Sequence, residues 1–244
     1  MADQAPDGRR GGILGIDTAT ADTAVAVTIA GEVASERRAG PVGGRPRHAS
    51  MLLAEVEAAV ASAGGWELID RLAVGVGPGT FTGLRVGIAS ARALAQARGL
   101  PLAGVGSLAA LARGIGERAG DRARLPLIDA RRGEIFAALF GPAEEELWPP
   151  AVLAPELLAE RLGELSHAPL AGGDGSLRFR DQLESAGAEV LPDADPAHRM
   201  AARHICALAG GVEPGPPSDV RPAYLRRPDA EVWREQRNRS PGPS

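Results

Sequence analysis

Short apolar runs alternate with longer amphipathic segments along the first half of the chain. Alternation of period two marks half-buried strands, and apolar positions three and four apart mark helices. Glycine and proline separate these segments, which helps to place the ends of the elements. The predicted elements, in order, are strands at 13–18, 23–30 and 33–37, a helix over 48–63, a strand at 72–76, a helix over 83–98, a short apolar segment at 102–105 and a further helix over 107–118.

The second half begins with the same succession of elements. An apolar strand that ends in Asp129 is followed by a turn and a second strand, as at the start of the chain. Residues 142–155 are acidic and rich in proline, and we interpret them as a connection. Helices are predicted over 155–165, 177–185 and 196–208, with a strand and a glycine-rich turn at 169–176. This recurrence indicates duplication of a β-β-β-α-β-α unit.

The helix over 83–98 has an unusual surface. Gly83, Gly87, Ala91 and Ala95 are four residues apart and therefore share one face, although each glycine inside a helix costs about 1 kcal/mol relative to alanine. Such a face lets another backbone approach closely. Three interpretations remain open: packing within the chain, contact with a partner protein, and a phosphate site at the helix start. The chain contains no lysine, so a Gly-x-x-x-x-Gly-Lys phosphate loop is excluded.

The helix over 48–63 has a broad apolar stripe. Leu52 and Val56 belong to the face expected to contact the core, whereas Met51 and Leu53 widen the stripe beyond what one core contact requires. The additional width indicates an interface.

Composition restricts the class of protein. The 244 residues are 44% hydrophobic, and 27 arginines stand against 31 acidic residues for a net charge of -4, which argues against a surface that binds nucleic acid by itself. A single cysteine excludes an internal disulfide framework. The polar N-terminus lacks a signal sequence, and the longest uncharged stretch, 14 residues, is shorter than the roughly 20 that a membrane-spanning helix needs. We therefore expect a cytoplasmic protein.

Two aspartates end corresponding strands. Asp17 with Thr18, and Asp129 in the second half, stand where proteins of an actin-like fold place nucleotide-facing groups, but Asp and Thr also commonly form turns at strand ends. Arg131 and Arg132 follow Asp129 where a phosphate would need glycine, so the sequence favours the turn-forming role. No pair of histidines has metal-ligand spacing, and neither a metal site nor a cofactor is expected.

The segment Gly-Val-Gly-Pro-Gly-Thr-Phe-Thr-Gly-Leu-Arg-Val-Gly at 75–87 closely resembles the signature of the TsaB (YeaZ) family. The resemblance extends over 13–27, 48–60, 72–111, 127–140 and 224–226. It implies an α/β, two-lobed actin-like fold of the sugar kinase and heat-shock ATPase type, with duplicated βββαβα units. In the related TsaD family, two metal-binding histidines follow the equivalent helix. Here Ser107 and Leu111 occupy those places, so that metal site is absent.

The resemblance also implies a function. TsaB-like proteins are non-catalytic scaffolds that pair with TsaD through helices of the first lobe. The ATPase TsaE joins them, and TsaD transfers threonylcarbamoyl to adenosine 37 of tRNA, so this chain would contact tRNA only through the complex. A homodimer through the same helices is expected without TsaD. The residues predicted in or beside that interface are His48, Leu52, Val56, Gly83, Gly87 and Ala91, and the candidate vestigial nucleotide-facing residues are Asp17, Thr18 and Asp129.

Alternative functions stay open at this point. An actin-like ATP-dependent phosphotransferase or nucleotide-binding protein would need Mg-nucleotide at the two aspartates, and a peptidase would need a nucleophile with a base. The predicted organisation is a disordered lead at 1–10, a first lobe at 11–112, a second lobe at 113–217 whose last helix at 196–211 packs back on the first lobe, a closing segment at 218–227 and a disordered tail at 228–244.

Overall fold

Two similar halves follow one another in the computed structural model, which describes residues 11–226. Buried apolar strands open the first half, and glycine in the left-handed conformation at residue 99 ends its longest helix. The elements of this half are β1 (Gly12–Asp17), β2 (Thr23–Ile29), β3 (Glu32–Ala39), α1 (His48–Ser62), β4 (Ile69–Gly77), α2 (Phe81–Arg98), β5 (Leu102–Gly106) and α3 (Ser107–Ala119), with a short 3-10 turn at Trp66–Leu68.

The second half repeats the order with shorter helices. Its elements are β6 (Arg124–Arg131), β7 (Glu134–Phe140), β8 (Glu146–Leu153), α4 (Pro155–Gly163), β9 (Leu170–Gly172), α5 (Asp174–Arg178), α6 (Arg180–Ser185), β10 (Glu189–Val190) and α7 (Ala202–Ala209), with 3-10 turns at Pro196–His198 and Pro217–Asp219. Within residues 11–226, every helix is too short or too polar to span a bilayer.

The sheets of the two halves have the same topology. The first has the strand order β3-β2-β1-β4-β5, and the second, counted from its β8 edge, has the order β8-β7-β6-β9-β10. In each sheet the first three strands of the half are antiparallel and the last two are parallel to the first strand. The predicted duplication in an α/β two-lobed fold is confirmed, with one further parallel strand added to each half.

Helices α3 and α7 join the two halves in a shared core. Buried residues of both helices belong to one hydrophobic cluster with β1, β2, β6 and β7. Helix α7 lies against the first sheet, where the Cys206 thiol lies 3.5 Å from the carbonyl of Ile13 and 3.6 Å from that of Ala26. The predicted lobe boundary after residue 112 falls inside α3, and the division into lobes stays a prediction. The predictions for 1–10 and 228–244 lie outside the described residues.

Several predicted boundaries are wrong; the helix predicted over 177–185, for example, is divided at Phe179 into α5 and α6. Residues 142–155 are not only a connection, because β8 lies within them. This strand lies at the edge of its sheet and pairs with a neighbour on one side only, so Pro149 and Pro150, which lack a backbone N–H, are tolerated there. The helix predicted over 196–208 is interrupted by extended backbone at Arg199 and Ala201. Helix α2 begins at Phe81, two residues before the predicted start.

Candidate functional site

The glycine-bearing face of α2 packs against Thr18, the residue that follows β1. The Thr18 hydroxyl donates a hydrogen bond of 2.8 Å to the carbonyl of Gly83. A Cβ atom on Gly83 would lie 2.0 Å from the Thr18 carbonyl oxygen, and one on Gly87 would lie 2.2 Å from the Thr18 hydroxyl oxygen. Of the three interpretations of the small-residue face, packing within the chain is therefore the one observed.

Asp17 is enclosed rather than open to a ligand. Its side chain has no exposed surface, and its carboxylate accepts hydrogen bonds from the Ala19 amide at 2.8 Å and the Ser107 hydroxyl at 2.7 Å. The neighbouring Gly75 leaves the necessary space, since a Cβ there would lie 1.8 Å from the carboxylate. Burial raises the pKa of Asp17 to about 6, while the two hydrogen bonds act in the opposite direction. The carboxylate thus holds β1 to α3 within the core.

Asp17→Asn should flatten the dependence of stability on pH. Because the pKa of Asp17 rises from its ordinary value of 3.8 to about 6 on folding, the folded chain binds the proton more tightly, and stability falls as pH rises from about 4 to about 6. A shift of this size corresponds to about 3 kcal/mol. Urea unfolding between pH 4 and pH 7 measures this loss. The control Asp121→Asn, at an exposed position, should keep the wild-type slope, and an unchanged slope in Asp17→Asn would contradict the assignment.

Asp129 occupies the corresponding position in the second half, at the end of β6. Its carboxylate accepts hydrogen bonds of 3.0 and 2.8 Å from Arg178 and one of 3.1 Å from Arg131. Its backbone amide donates to the Asp174 carboxylate at 3.0 Å. Asp129 and Arg131 line a cavity of about 190 Å³ that also reaches Thr80 at the start of α2. Guanidinium groups of the chain itself therefore neutralise the carboxylate that a metal-bound nucleotide would approach.

The described residues offer no metal centre. Among residues 11–226, no group of three or more His, Cys, Asp and Glu side chains could hold a metal ion. Ser107 and Leu111, at the positions where the resemblance places metal-binding histidines in TsaD, are both buried. Ser107 instead donates to Asp17 and accepts a hydrogen bond of 3.2 Å from the Gly77 amide.

The six residues predicted at a partner interface are all buried inside the chain. The side chains of Leu52, Val56 and Ala91 are at most 2% exposed, because they pack between the helices and the first sheet. The two glycines contact Thr18, as described above. His48 is 4% exposed, its Nδ1 atom lies 2.8 Å from the Thr23 hydroxyl, and burial lowers its pKa. These six residues support the helices from beneath and do not form their outer surface, and their position in or beside a partner interface stays a prediction.

The outer surface of the two helices, here named the α1–α2 face, consists largely of small and apolar side chains. Leu53 is 59% exposed, although leucine is usually buried. Helix α1 has two acidic residues and no arginine, whereas α2 has three arginines and no acidic residue. The exposed or half-buried apolar residues of the two helices include Met51, Leu53, Ala54, Ala58, Ala89 and Ala93.

The closing segment connects the two halves across the cleft between them. The Ala223 amide donates to the Val76 carbonyl at 2.8 Å, and the Tyr224 ring lies 5.2 Å from that of Phe81. Arg226 donates to the Ala130 carbonyl at 3.1 Å and forms an ion pair with Glu134. The sequence predicts order in this segment, but its position depends on contacts with residues about 90 to 150 positions earlier. Arg178 was likewise missed, because no local pattern connects it with Asp129.

Comparison with known proteins agrees with this architecture. Two sheets of the same strand order in one chain are the architecture of a two-lobed protein of the actin-like class. The crystal structure of the ethanolamine utilization protein EutJ from Carboxydothermus hydrogenoformans superposes with a TM-score of 0.51 at 13% identity, over 85% of this chain and 92% of that one, which supports the fold alone. YeaZ from Pseudomonas aeruginosa superposes with a TM-score of 0.72 at 25% identity, over 88% and 99% of the two chains.

Sequence comparison identifies the family. Residues 28–160 match the family model described as TsaD, tRNA N6-adenosine threonylcarbamoyltransferase. The tRNA threonylcarbamoyladenosine biosynthesis protein TsaB of Escherichia coli strain K12 is 33% identical over 222 residues, which cover 88% of this chain and 94% of the relative. The chain belongs to the TsaB (YeaZ) family.

Proposed function

We propose that this chain is a non-catalytic subunit that binds TsaD and activates it for N6-threonylcarbamoylation of adenosine 37 in tRNA. The observation that carries the proposal is the α1–α2 face, an exposed apolar surface on helices whose inner sides are fully packed. Exposed apolar patches on soluble proteins commonly mark protein interfaces. The Escherichia coli relative is named as a tRNA threonylcarbamoyladenosine biosynthesis protein, which supports this pathway.

The charges of the two helices suit a partner with similar helices. If a two-fold axis passes through the α1–α2 face, α1 of one subunit meets α2 of the other, so acidic and basic helices face each other. Small residues such as Ala89 and Ala93 let the helices approach closely at little entropic cost. The proposal takes TsaD as the partner with similar helices, because the TsaD family model aligns with residues 28–160 of this chain, a range that includes α1 and α2. A second copy of this chain would occupy the face when TsaD is absent.

The cleft between the halves favours a supporting role over a catalytic one. Asp17 has no exposed surface, and Asp129 is bound by Arg178 and Arg131. A phosphotransferase of actin-like fold would need these carboxylates for Mg-nucleotide, so the proposal assigns the chemistry to TsaD. TsaE joins the complex as the ATPase, and tRNA is contacted through the complex.

In vitro reconstitution tests the proposed function. Cognate TsaD and TsaE, supplied with ATP, a threonylcarbamoyl donor and tRNA, should form modified adenosine only when this chain is added, and this chain alone should form none. Mass spectrometry of digested tRNA measures the product. Equal product without this chain would contradict the activating role. Product from this chain alone, or micromolar binding of Mg-ATP abolished by Asp17→Asn, would instead favour the enzymatic alternative.

A further inference from the structure

The closing segment lies across the carboxyl ends of two strands, β4 in the first half and β6 in the second. Ala223 is hydrogen-bonded to Val76 near the end of β4, and Arg226 to Ala130 near the end of β6. In open α/β sheets, ligands bind in the crevice at the carboxyl ends of the strands. The chain therefore places its own backbone over the entrance to the cleft between its halves.

The cavity beneath the closing segment is small. Residues 223–226 form one of its walls, Thr80 belongs to the wall from the first half, and Asp129 belongs to the wall from the second. Its volume of about 190 Å³ is below the range of about 300 to 1,000 Å³ that is usual for small-molecule sites. With the segment in this position, the cleft is too small for a ligand of ordinary size.

The first half holds the segment at several points. Just before the segment, Gly215 and Leu102 exchange two backbone hydrogen bonds, of 3.1 and 3.2 Å. The Val220 side chain is 9% exposed and belongs to the core of the first half. Further along, the rings of Tyr224 and Phe81 are in contact. Backbone pairing and buried apolar contacts are little affected by salt, so this attachment is firm.

Arg226 fastens the segment to the second half. Its guanidinium group donates a hydrogen bond of 3.1 Å to the Ala130 carbonyl and forms an ion pair with Glu134. The side chains of Arg226 and Glu134 are 27% and 40% exposed, and ion pairs as accessible as this one contribute little to stability and are screened by salt. Leu225, beside Arg226, is only half-buried. The segment is therefore attached firmly at one end and lightly at the other.

We propose that the closing segment is a strap that controls access to the cleft, and that it opens at Arg226 while residues 215–220 stay attached to the first half. Segments with few buried contacts open at the lowest cost, which places the opening at residues 224–226. A rise in ionic strength, or a group that competes for Glu134, favours the open form. The proposal does not depend on TsaD binding or on the α1–α2 face.

Backbone amide relaxation measured by NMR on the full chain tests the strap. In the wild-type chain at low salt, residues 224–226 should have order parameters near the value of about 0.85 that is typical of rigid backbone. In Glu134→Gln they should fall below about 0.6, the level of flexible segments, while residues 215–220 keep their wild-type values. Salt at about 1 M, where the Debye length is about 3 Å, should loosen the same residues of the wild-type chain.

Thiol reactivity of Ala130→Cys measures whether the cleft opens. Ala130 is 6% exposed and lines the cavity, so a thiol there should react with an aromatic disulfide reagent slowly in the otherwise wild-type chain. Adding Glu134→Gln should raise the rate about tenfold or more, because the open form becomes more populated. The native Cys206 adds little background, since burial raises the pKa of its thiol to about 12.

Glu189→Gln is the matched control, because it removes an exposed carboxylate that is paired with Arg122 elsewhere in the second half. Its order parameters and thiol rate should equal those of the wild type. Unchanged order and thiol rate in Glu134→Gln, together with no effect of salt on the wild-type chain, would overturn the proposal. Loosening of residues 215–220 together with 224–226, or release of the segment by Glu189→Gln, would also overturn it. The salt experiment needs no substitution, so it decides the matter even if a variant folds poorly.

Discussion

Gly83→Ala is expected to lower the free energy of unfolding by about 2 kcal/mol. The new Cβ would lie 2.0 Å from the Thr18 carbonyl oxygen and 2.5 Å from the Thr80 hydroxyl oxygen, far inside van der Waals contact. Backbone at Thr18 cannot move aside as a flexible side chain would. Overpacking of this kind costs up to about 3 kcal/mol, and the higher helix propensity of alanine returns about 1 kcal/mol. Urea unfolding monitored by circular dichroism measures the difference.

Gly163→Ala is the matched control for this substitution. Gly163 also lies within a helix, at the end of α4, but a Cβ atom there would meet nothing within 4 Å. The control should be neutral or slightly stabilising, by at most about 1 kcal/mol. If Gly83→Ala were as stable as the control, the close packing of α2 on Thr18 would be refuted. Gly87→Leu is unsuitable as a test of partner binding, since Gly87 is buried and the substitution would disturb the fold first.

Leu53→Asp should weaken binding to TsaD by a factor of about 30 or more while the chain remains folded. Leu53 is 59% exposed in the isolated chain, so a carboxylate there stays solvated and costs little stability. In a complex through the α1–α2 face the same carboxylate would lose its water. Substitution of a central interface residue costs about 2 kcal/mol or more of binding free energy. This cost corresponds to a rise in Kd by a factor of about 30. Calorimetric titration with TsaD measures the affinity.

Leu157→Asp provides the comparison for Leu53→Asp. Leu157 is 52% exposed on helix α4 of the second half, so the chemical change and the exposure are nearly the same. This variant should bind TsaD as the wild type does. If both variants bound TsaD equally well, the α1–α2 face would not be the site of contact.

The duplicated fold could be predicted from the sequence because the period of the apolar residues and the glycines at the ends of elements are local signals. The sequence was less informative where the outcome depends on distant residues. The face formed by Gly83 and Gly87 was evident, but its contact, Thr18, lies 65 residues before Gly83. The guanidinium group of Arg178, 49 residues from Asp129, was similarly invisible to any local pattern.

The interface prediction illustrates how core and surface signals compete. Leu52 and Val56 follow the regular helical stripe, and that stripe is used by the chain's own core. Met51 and Leu53 lie beside this stripe and are apolar residues that the core does not need. Of the two, Leu53 is the exposed one. Periodicity alone identifies the buried face first; an interface has to be sought among the apolar residues that remain. Whether the α1–α2 face binds a partner stays a prediction.

The most direct test is size-exclusion chromatography with light scattering on this chain mixed with its cognate TsaD. The account predicts a species with the mass of one copy of each protein, and its absence when Leu53→Asp replaces the wild-type chain. The Leu157→Asp variant should still form it. Separate elution of the two wild-type proteins across the micromolar range, with or without TsaE and ATP, would contradict the proposed role as the TsaD-binding subunit.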